Sequence, residues 1–357
     1  MDRRPLILVL NVGSTSTKVA VFEGEKAAAL KNIAYGAEDL APFATLADQL
    51  PLRERDVLGF VAEAGVAVED LALVVSRGGL GRPAPAGAYG VDEEMCRDLM
   101  EGRYGRHPSA LGPAMALGLA RRFGMPAIVI DAPSTDEFEP LARISGIPEI
   151  ERKSAFHALN QKAAARRWAR ERSRLYEEVN LVVAHLGGGI TVGAHRRGRV
   201  IDCTHGLSEG PLTPERAGAL PTLDLLEAAF AAGADRKELQ GRLVGRGGLA
   251  AYLGTNDARR VEEMIAGGDE KARLVYEAMA YQTAKEIGAM ATVLQGDLDG
   301  IVLTGGLAHS RLLTCQIEDR VRFLAPVAVY PGEDEMQALA EGGLRVLKGE
   351  EEVKGYR

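Results

Sequence analysis

The chain has 357 residues, 46% of them hydrophobic and 26% charged, which excludes disorder and fibre and is too long for one compact core. Lys and Arg number 43 against 50 Asp and Glu, a formal net charge of −7, so no global attraction to nucleic acid or an anionic membrane is expected. Cys96, Cys203 and Cys315 are odd in number and show no Cys-x-x-Cys spacing, which argues against a disulfide framework or a structural zinc site. The five apolar residues Leu6 to Leu10 are too few for a signal segment, and no window approaches the roughly 18 apolar residues of a membrane helix. The expectation is a soluble protein of the reducing cytoplasm.

In chain order, Leu6 to Leu10 reads as a buried strand, Asn11 to Thr17 as a small-residue turn, and Lys18 to Phe22 as a second strand before the turn Glu23-Gly24-Glu25. Leu71 to Val75 and Ala127 to Ile130 are further strand candidates, with a helix predicted from Met115 to Phe123. Ser145-Gly146-Ile147-Pro148 is rich in turn residues, which puts a domain boundary near Ile150 to Lys153. A helix is predicted over Ala158 to Ser173. Leu181 to His185, Leu186 to Thr191 and Val192 to Arg196 then repeat the opening strand-turn-strand pattern. Gly13 meets Gly187, Thr17 meets Thr191, Ala20 meets Ala194 and Gly24 meets Gly198, each pair 174 residues apart, so a duplicated domain is expected. The helix Ala272 to Leu294, the strand Ile301 to Leu303 and the helix Met336 to Leu347 complete the pattern. Strands alternating with helices predict an α/β chain with largely parallel sheets and sites at strand ends. The last helix, after Pro331-Gly332, is expected to return to the first domain.

Four small-residue turns follow buried strands: Asn11 to Thr17, Arg77-Gly78-Gly79, Gly187-Gly188-Gly189 and Thr304-Gly305-Gly306. Such turns expose backbone N–H groups and short hydroxyls that surround phosphate oxygens, although any one of them can simply reverse the chain. No Walker loop is present, a dinucleotide fingerprint from Gly187 fails at Val192, and the His-Arg-Asp and Asp-Phe-Gly strings of protein kinases are absent. A two-domain nucleotide clamp remains.

Asn11-Val-Gly-Ser-Thr-Ser-Thr-Lys18, Ser76-Arg-Gly-Gly79, Ser154-Ala-Phe-His-Ala-Leu-Asn160, His185-Leu-Gly-Gly-Gly189, Pro214-Glu-Arg-Ala-Gly218 and Thr304-Gly-Gly306 occur in that order. Together they resemble the acetate and butyrate kinases, within the superfamily of sugar kinases, actin and the Hsp70 ATPase domain. The segment Phe156-His-Ala-Leu-Asn-Gln-Lys162 and the chain length are closer to the butyrate kinases. The resemblance implies two duplicated ribonuclease H-like domains with a nucleotide cleft between them. Their expected bounds are 1–152, joined by a C-terminal helix of about 335–350, and 153–334, the nucleotide-binding domain.

It also implies reversible phosphoryl transfer from ATP to butyrate, giving ADP and butyryl phosphate, with Mg²⁺ and in a homo-oligomer. Because a carboxylate is already a deprotonated nucleophile, no general base is needed, and the task is to hold two anions in line. By the same resemblance Arg77 and Arg216 supply the cations, His157 donates to the transferring phosphoryl group, and Asp131 orients an arginine or the metal. His107, Gly79 and Phe156 attend the acyl substrate, and the two glycines after Arg77 suggest a pocket roomy enough for four carbons. Asn11, Ser14, Ser16, His185, Gly187, Gly188, Gly189, Gly305 and Gly306 take the nucleotide and its phosphates, whereas Lys18 can simply flank its strand. Glu335, beside Glu333 and Asp334, joins Asp131 and Asn11 around magnesium. Acetate, propionate and branched-chain acid kinases, a sugar kinase using Asp131 as base, and an ATP switch without phosphotransfer stay open as alternatives.

Overall fold

A computed structural model describes residues 4–357. The chain divides into two compact units, one running up to Thr135 and including Asp334–Arg357, the other Asp136–Glu333.

The first unit carries a seven-stranded sheet. Its strands are β1 (Leu6–Val12), β2 (Ser16–Glu23), β3 (Lys26–Ala34), β4 (Leu71–Ser76), β5 (Ala88–Gly90), β6 (Ala127–Ile130) and β12 (Val353–Lys354), in the order β12-β5-β6-β4-β1-β2-β3. β1 is apolar over Leu6–Leu10 and has neighbours on both sides, as a strand covered on both faces should be. β3 closes the edge with Lys26 and Lys31 among mostly exposed residues, which discourages pairing with another chain. The helices Leu50–Glu63 and Leu111–Phe123 cover one face, Val57, Phe60, Leu111 and Met115 meeting Leu8, Leu10 and Val74. The helix Glu335–Leu347 lies on β1 and β4. It sits so close that a Cβ on Gly342 would come within 2.8 Å of Ile130 and one on Gly343 within 2.7 Å of Val75.

The second unit has five strands, β7 (Asn180–Leu186), β8 (Ile190–Arg196), β9 (Arg199–Cys203), β10 (Gly300–Gly305) and β11 (Val327–Pro331), ordered β11-β10-β7-β8-β9. The 24-residue helix Glu270–Val293 packs Tyr276, Met279 and Ile287 on the sheet beside Leu313 and Ile317 of the helix Arg311–Val321. On the other face, the helix Ala158–Arg170 brings Trp168 and Ala165 against Leu181, Val183 and Val302. Each large apolar side chain buried in this way contributes about 1.5–3 kcal/mol.

The duplication is explicit in the topology. In the order β3-β2-β1-β4-β6 and again in β9-β8-β7-β10-β11, an antiparallel meander continues into two parallel strands. The bounds of β1 and β7 differ by the same 174 residues as the aligned glycines. The sheets are therefore mixed and not largely parallel as the alternation of elements suggested. The turns after Val12 and Leu186 are short enough to make hairpins, and hairpins force antiparallel pairing.

The division also falls earlier than Ile150 to Lys153. Phe138 and Ala142 are buried with Phe156, Val200 and Cys203, Glu139 N–H donates to the Ile201 carbonyl at 3.0 Å, and Arg152 forks onto Glu209 and reaches Asp202. The turn-rich segment 145–148 is a surface loop of the second unit. Among the described residues, no helix is long and apolar enough to cross a membrane.

Candidate functional site

In the first unit, the sheet brings together the ends of β1 and β4 and the start of the helix Glu335–Leu347. Arg77 directly follows β4, its N–H donating to the Leu10 carbonyl at 3.1 Å. Its guanidinium lies 3.2 Å from Glu335 Oε1, and Asn11 Nδ2 donates to Glu335 Oε2 at 2.6 Å. One carboxylate thus braces both a cation and an amide at the mouth of the first turn. His107 caps a short turn, its Nδ1 taking the Ser109 N–H at 3.2 Å. Burial, and then the charge of Arg77, lower its pKa below the ordinary value of 6.5.

Ser14 is exposed and Ser16 half-exposed in the first turn, beneath which a residue unnoticed in the sequence is buried. Arg53 is fully buried and donates to the carbonyls of Gly13, Ser14 and Ser16, to Thr17 Oγ1 and to Gln49 Oε1. Nothing in Leu52-Arg-Glu-Arg-Asp56 distinguishes it from a solvated helical arginine.

Asp131, Arg77 and Gly79 are placed as follows. Asp131 is buried at the end of β6 in a left-handed conformation (φ 41°), and its Oδ1 accepts the Gly87 N–H at 2.9 Å, so it fastens a neighbouring loop. Arg77 takes its ion pair from Glu335 and not from Asp131. Gly79 is closely packed: a Cβ there would meet Leu99 Cδ2 at 3.0 Å and the Ala110 nitrogen at 3.3 Å, while Gly78, at φ +76°, lies against Val129. What remains beside this loop is a cavity of about 30 Å³ bounded by Gly78, Gly79, Met95, Leu99 and Tyr356.

In the second unit, His157 stands at the start of the helix Ala158–Arg170 and His185 near the end of β7. Their rings stack with centroids 3.7 Å apart and planes 11° apart. His185 Nδ1 meets Asn160 Oδ1 at 2.7 Å, and its Nε2 lies 3.1 Å from Glu333 Oε1. A Cβ on Gly187 would meet both that nitrogen and that carboxylate, at 3.0 and 3.1 Å.

Arg216 reaches the same turn from the other side. The Thr213 hydroxyl donates to the Gly188 carbonyl at 2.6 Å and accepts the N–H groups of Glu215 and Arg216, joining the two loops. The half-buried guanidinium sends Nη1 to the Gly206 carbonyl at 2.6 Å, its Nε–H has no hydrogen-bond partner, and no carboxylate lies within ion-pair distance among the described residues. Burial lowers its pKa, yet an arginine remains charged. Gly305, at φ +92°, exchanges two hydrogen bonds with Gly332 and leaves no room for a Cβ beside Leu186, whereas Gly306 faces open space. Phe156 is buried, its ring packed with Phe138, Ala158 and Cys203.

Residues 148–324 match the family model described as the Acetokinase family. Among solved structures, acetate kinase from Porphyromonas gingivalis is 17% identical with a TM-score of 0.78, over 96% of this chain and 100% of that one. A propionate kinase from Francisella tularensis subsp. tularensis SCHU S4 is 18% identical with a TM-score of 0.73, over 95% and 98%. Acetate kinase from Entamoeba histolytica is 19% identical with a TM-score of 0.75, over 94% and 98%. The chain has the two-domain α/β fold of these proteins.

Proposed function

We propose that this protein reversibly transfers the γ-phosphoryl group of ATP to a short-chain carboxylate, with butyrate as the preferred acceptor. The observation that carries the reading is Arg216, a half-buried guanidinium on a triple-glycine turn with no carboxylate partner among the described residues. A cation kept in that state costs desolvation unless an anion arrives to meet it. Arg77, by contrast, is braced on Glu335, which sets the direction of its fork. In the proposed reaction the two guanidinium groups neutralise the phosphoryl oxygens and the carboxylate, a role worth on the order of 10³-fold in turnover. His157 donates a hydrogen bond to the transferring group. The turns at Gly187–Gly189 and Gly305–Gly306 take the nucleotide, where missing side chains let it lie against backbone.

Magnesium fits as a partner of the nucleotide. Glu335 is already engaged by Asn11 and Arg77, and no group of three His, Cys, Asp or Glu is placed to hold a metal among the described residues. That suits an ion bound chiefly through phosphates and water, with Asn11 and Glu335 holding its hydration shell. Bound there, magnesium supplies charge neutralisation on the phosphate oxygens. Asp131, buried and hydrogen-bonded to Gly87, is ill placed to act as the hydroxyl-activating base that a sugar kinase requires.

The preference for butyrate rests on the segment Phe156 to Lys162 and not on a widened pocket. The test is Mg²⁺-dependent acyl phosphate formation, trapped as hydroxamate, with acetate, propionate, butyrate, isobutyrate and valerate in parallel. Product is expected to peak at four carbons. A peak at acetate or propionate would reassign the acceptor, and no product with any acid, despite ATP binding, would overturn the reading.

A further inference from the structure

Behind His157 lies a chain of side chains that no part of the proposed reaction has yet used. Tyr176, His195, Gln161 and Thr191 are all buried, the last three fully, and they run in hydrogen-bond contact to the His157 ring. Thr191 and His195 alternate on β8 with Gly193 between them. That glycine leaves the space, because a Cβ there would stand 2.6 Å from Gln161 Oε1.

The direction of every bond in the chain follows from one group that can only accept. Gln161 Nε2 is 3.0 Å from the Thr191 carbonyl, which fixes the amide with its nitrogen towards Thr191 and its oxygen towards His195. Gln161 Oε1 therefore accepts from His195 Nε2–H at 3.0 Å. His195 is wholly buried near Lys162 and Arg166, and its pKa is held well below 6.5, chiefly by burial. Being neutral, it carries one ring proton, so its Nδ1 accepts the Tyr176 O–H at 2.7 Å.

At the other end, Thr191 Oγ1 receives Gln161 Nε2–H at 2.9 Å and the His157 backbone N–H at 3.4 Å. Its two lone pairs are then occupied, and its own proton goes to His157 Nδ1 at 2.8 Å. We infer that Thr191, oriented by Gln161, His195 and Tyr176, is a positioning residue that fixes the His157 ring in the Nε2–H tautomer, presenting a hydrogen-bond donor on the side of the ring away from Thr191. The stack on His185 holds the ring plane, so tautomer and orientation are set together. This inference rests on the reading of His157 as donor to the transferring phosphoryl group. For that role a wrong tautomer would present a lone pair to an anion.

The first experiment needs neither substrate nor variant activity. Long-range proton–nitrogen NMR of the ¹⁵N-labelled protein in mildly alkaline buffer distinguishes a protonated from an unprotonated ring nitrogen, and His157→Gln assigns the signal among the six histidines. The expected result is an unprotonated Nδ1 and a protonated Nε2 in the wild type. A protonated Nδ1 in the wild type overturns the inference and leaves the reaction untouched. Kinetics follow with two variants of Thr191. Thr191→Val, which keeps the shape and removes the hydroxyl, is expected to lower kcat about tenfold with KM for ATP and butyrate nearly unchanged, and to mix the two tautomers in the NMR spectrum. Thr191→Ser, which restores the hydroxyl, is expected to return kcat to within about twofold. Equal losses in the Ser and Val variants with the tautomer preserved in both would also overturn it. If wild type makes no acyl phosphate from any acid yet shows the expected tautomer, the reaction fails and the hydrogen-bond chain stands.

Discussion

The Arg216 guanidinium lies where a side chain on Gly189 would stand: Nη1 is 2.1 Å from the position of a Cβ on that residue, and Cζ is 2.5 Å away. The glycine is needed so that a cation can rest on the turn. Gly189→Ala should push the guanidinium off its Gly206 carbonyl, and because the displaced atoms end a long side chain, the fold should survive. We expect turnover to fall about 100-fold or more, approaching the loss in Arg216→Ala, with Tm within a few degrees of wild type. Full turnover in Gly189→Ala would mean that Arg216 works from another position.

Arg53 is the counterpart beneath the first turn. It satisfies three carbonyls, Thr17 Oγ1 and Gln49 at once, and its charge sits over the Tyr35 ring at 4.5 Å. Met fills similar volume and makes none of these bonds, so Arg53→Met strands several buried acceptors at about 1–3 kcal/mol each, less whatever water recovers. A loss of about 3 kcal/mol or more in urea unfolding is expected, with a raised KM for ATP where protein remains folded. A variant as stable as wild type would show that the turn holds itself.

The repeated strand-turn-strand segments were legible in the sequence because a buried strand must be continuously apolar and a tight turn must use small residues. Leu6–Leu10 and Leu181–Ala184 satisfy the first demand, Gly13 and Gly187 the second. Thr17 and Thr191, aligned by the same offset, are both fully buried, and each uses its hydroxyl to hold another element, Arg53 in one unit and His157 with Gln161 in the other. The alignment marked the positions, but nothing local to either threonine names its partner. Arg53 was illegible because burial of a charged side chain is decided by three carbonyls and a hydroxyl 36 to 40 residues away. Phe156 and Gly79 were named for the acyl substrate by resemblance, and which volume each faces is set by Phe138 and Cys203 in one case and by Leu99 in the other.

The geometry at Gly79 yields its own prediction. Valine there would drive into Leu99 Cδ2 and the Ala110 backbone instead of narrowing an acyl pocket. Gly79→Val should therefore destabilise the protein by about 1–3 kcal/mol, the usual cost of overpacking, and leave the ranking of acids unchanged. A clean shift towards acetate without loss of stability would restore Gly79 to the acyl site.

Stability should also depend on pH through the histidines. Burial lowers the pKa of His107, His195 and His205 below 6.5; the charge of Arg77 adds to this for His107, those of Lys162 and Arg166 add to it for His195, and Glu209 opposes it for His205. Between each folded pKa and about 6.5 the unfolded chain binds more protons than the native one, so stability falls as pH falls through that window. A single such group contributes a slope of up to about 1.4 kcal/mol per pH unit. Carboxylates whose pKa values are raised by partial or full burial, Glu54, Asp202 and Glu286, work the other way, since the native state holds their protons more tightly. The histidine part is isolated by a variant. His195→Gln keeps a polar group of similar reach and removes the titration, so it should be less stable near neutral pH but lose less on acidification. Urea unfolding of both proteins from about pH 7.5 to about pH 5.5 reads the difference in slope directly, and parallel curves would mean that His195 is not held neutral in the folded protein.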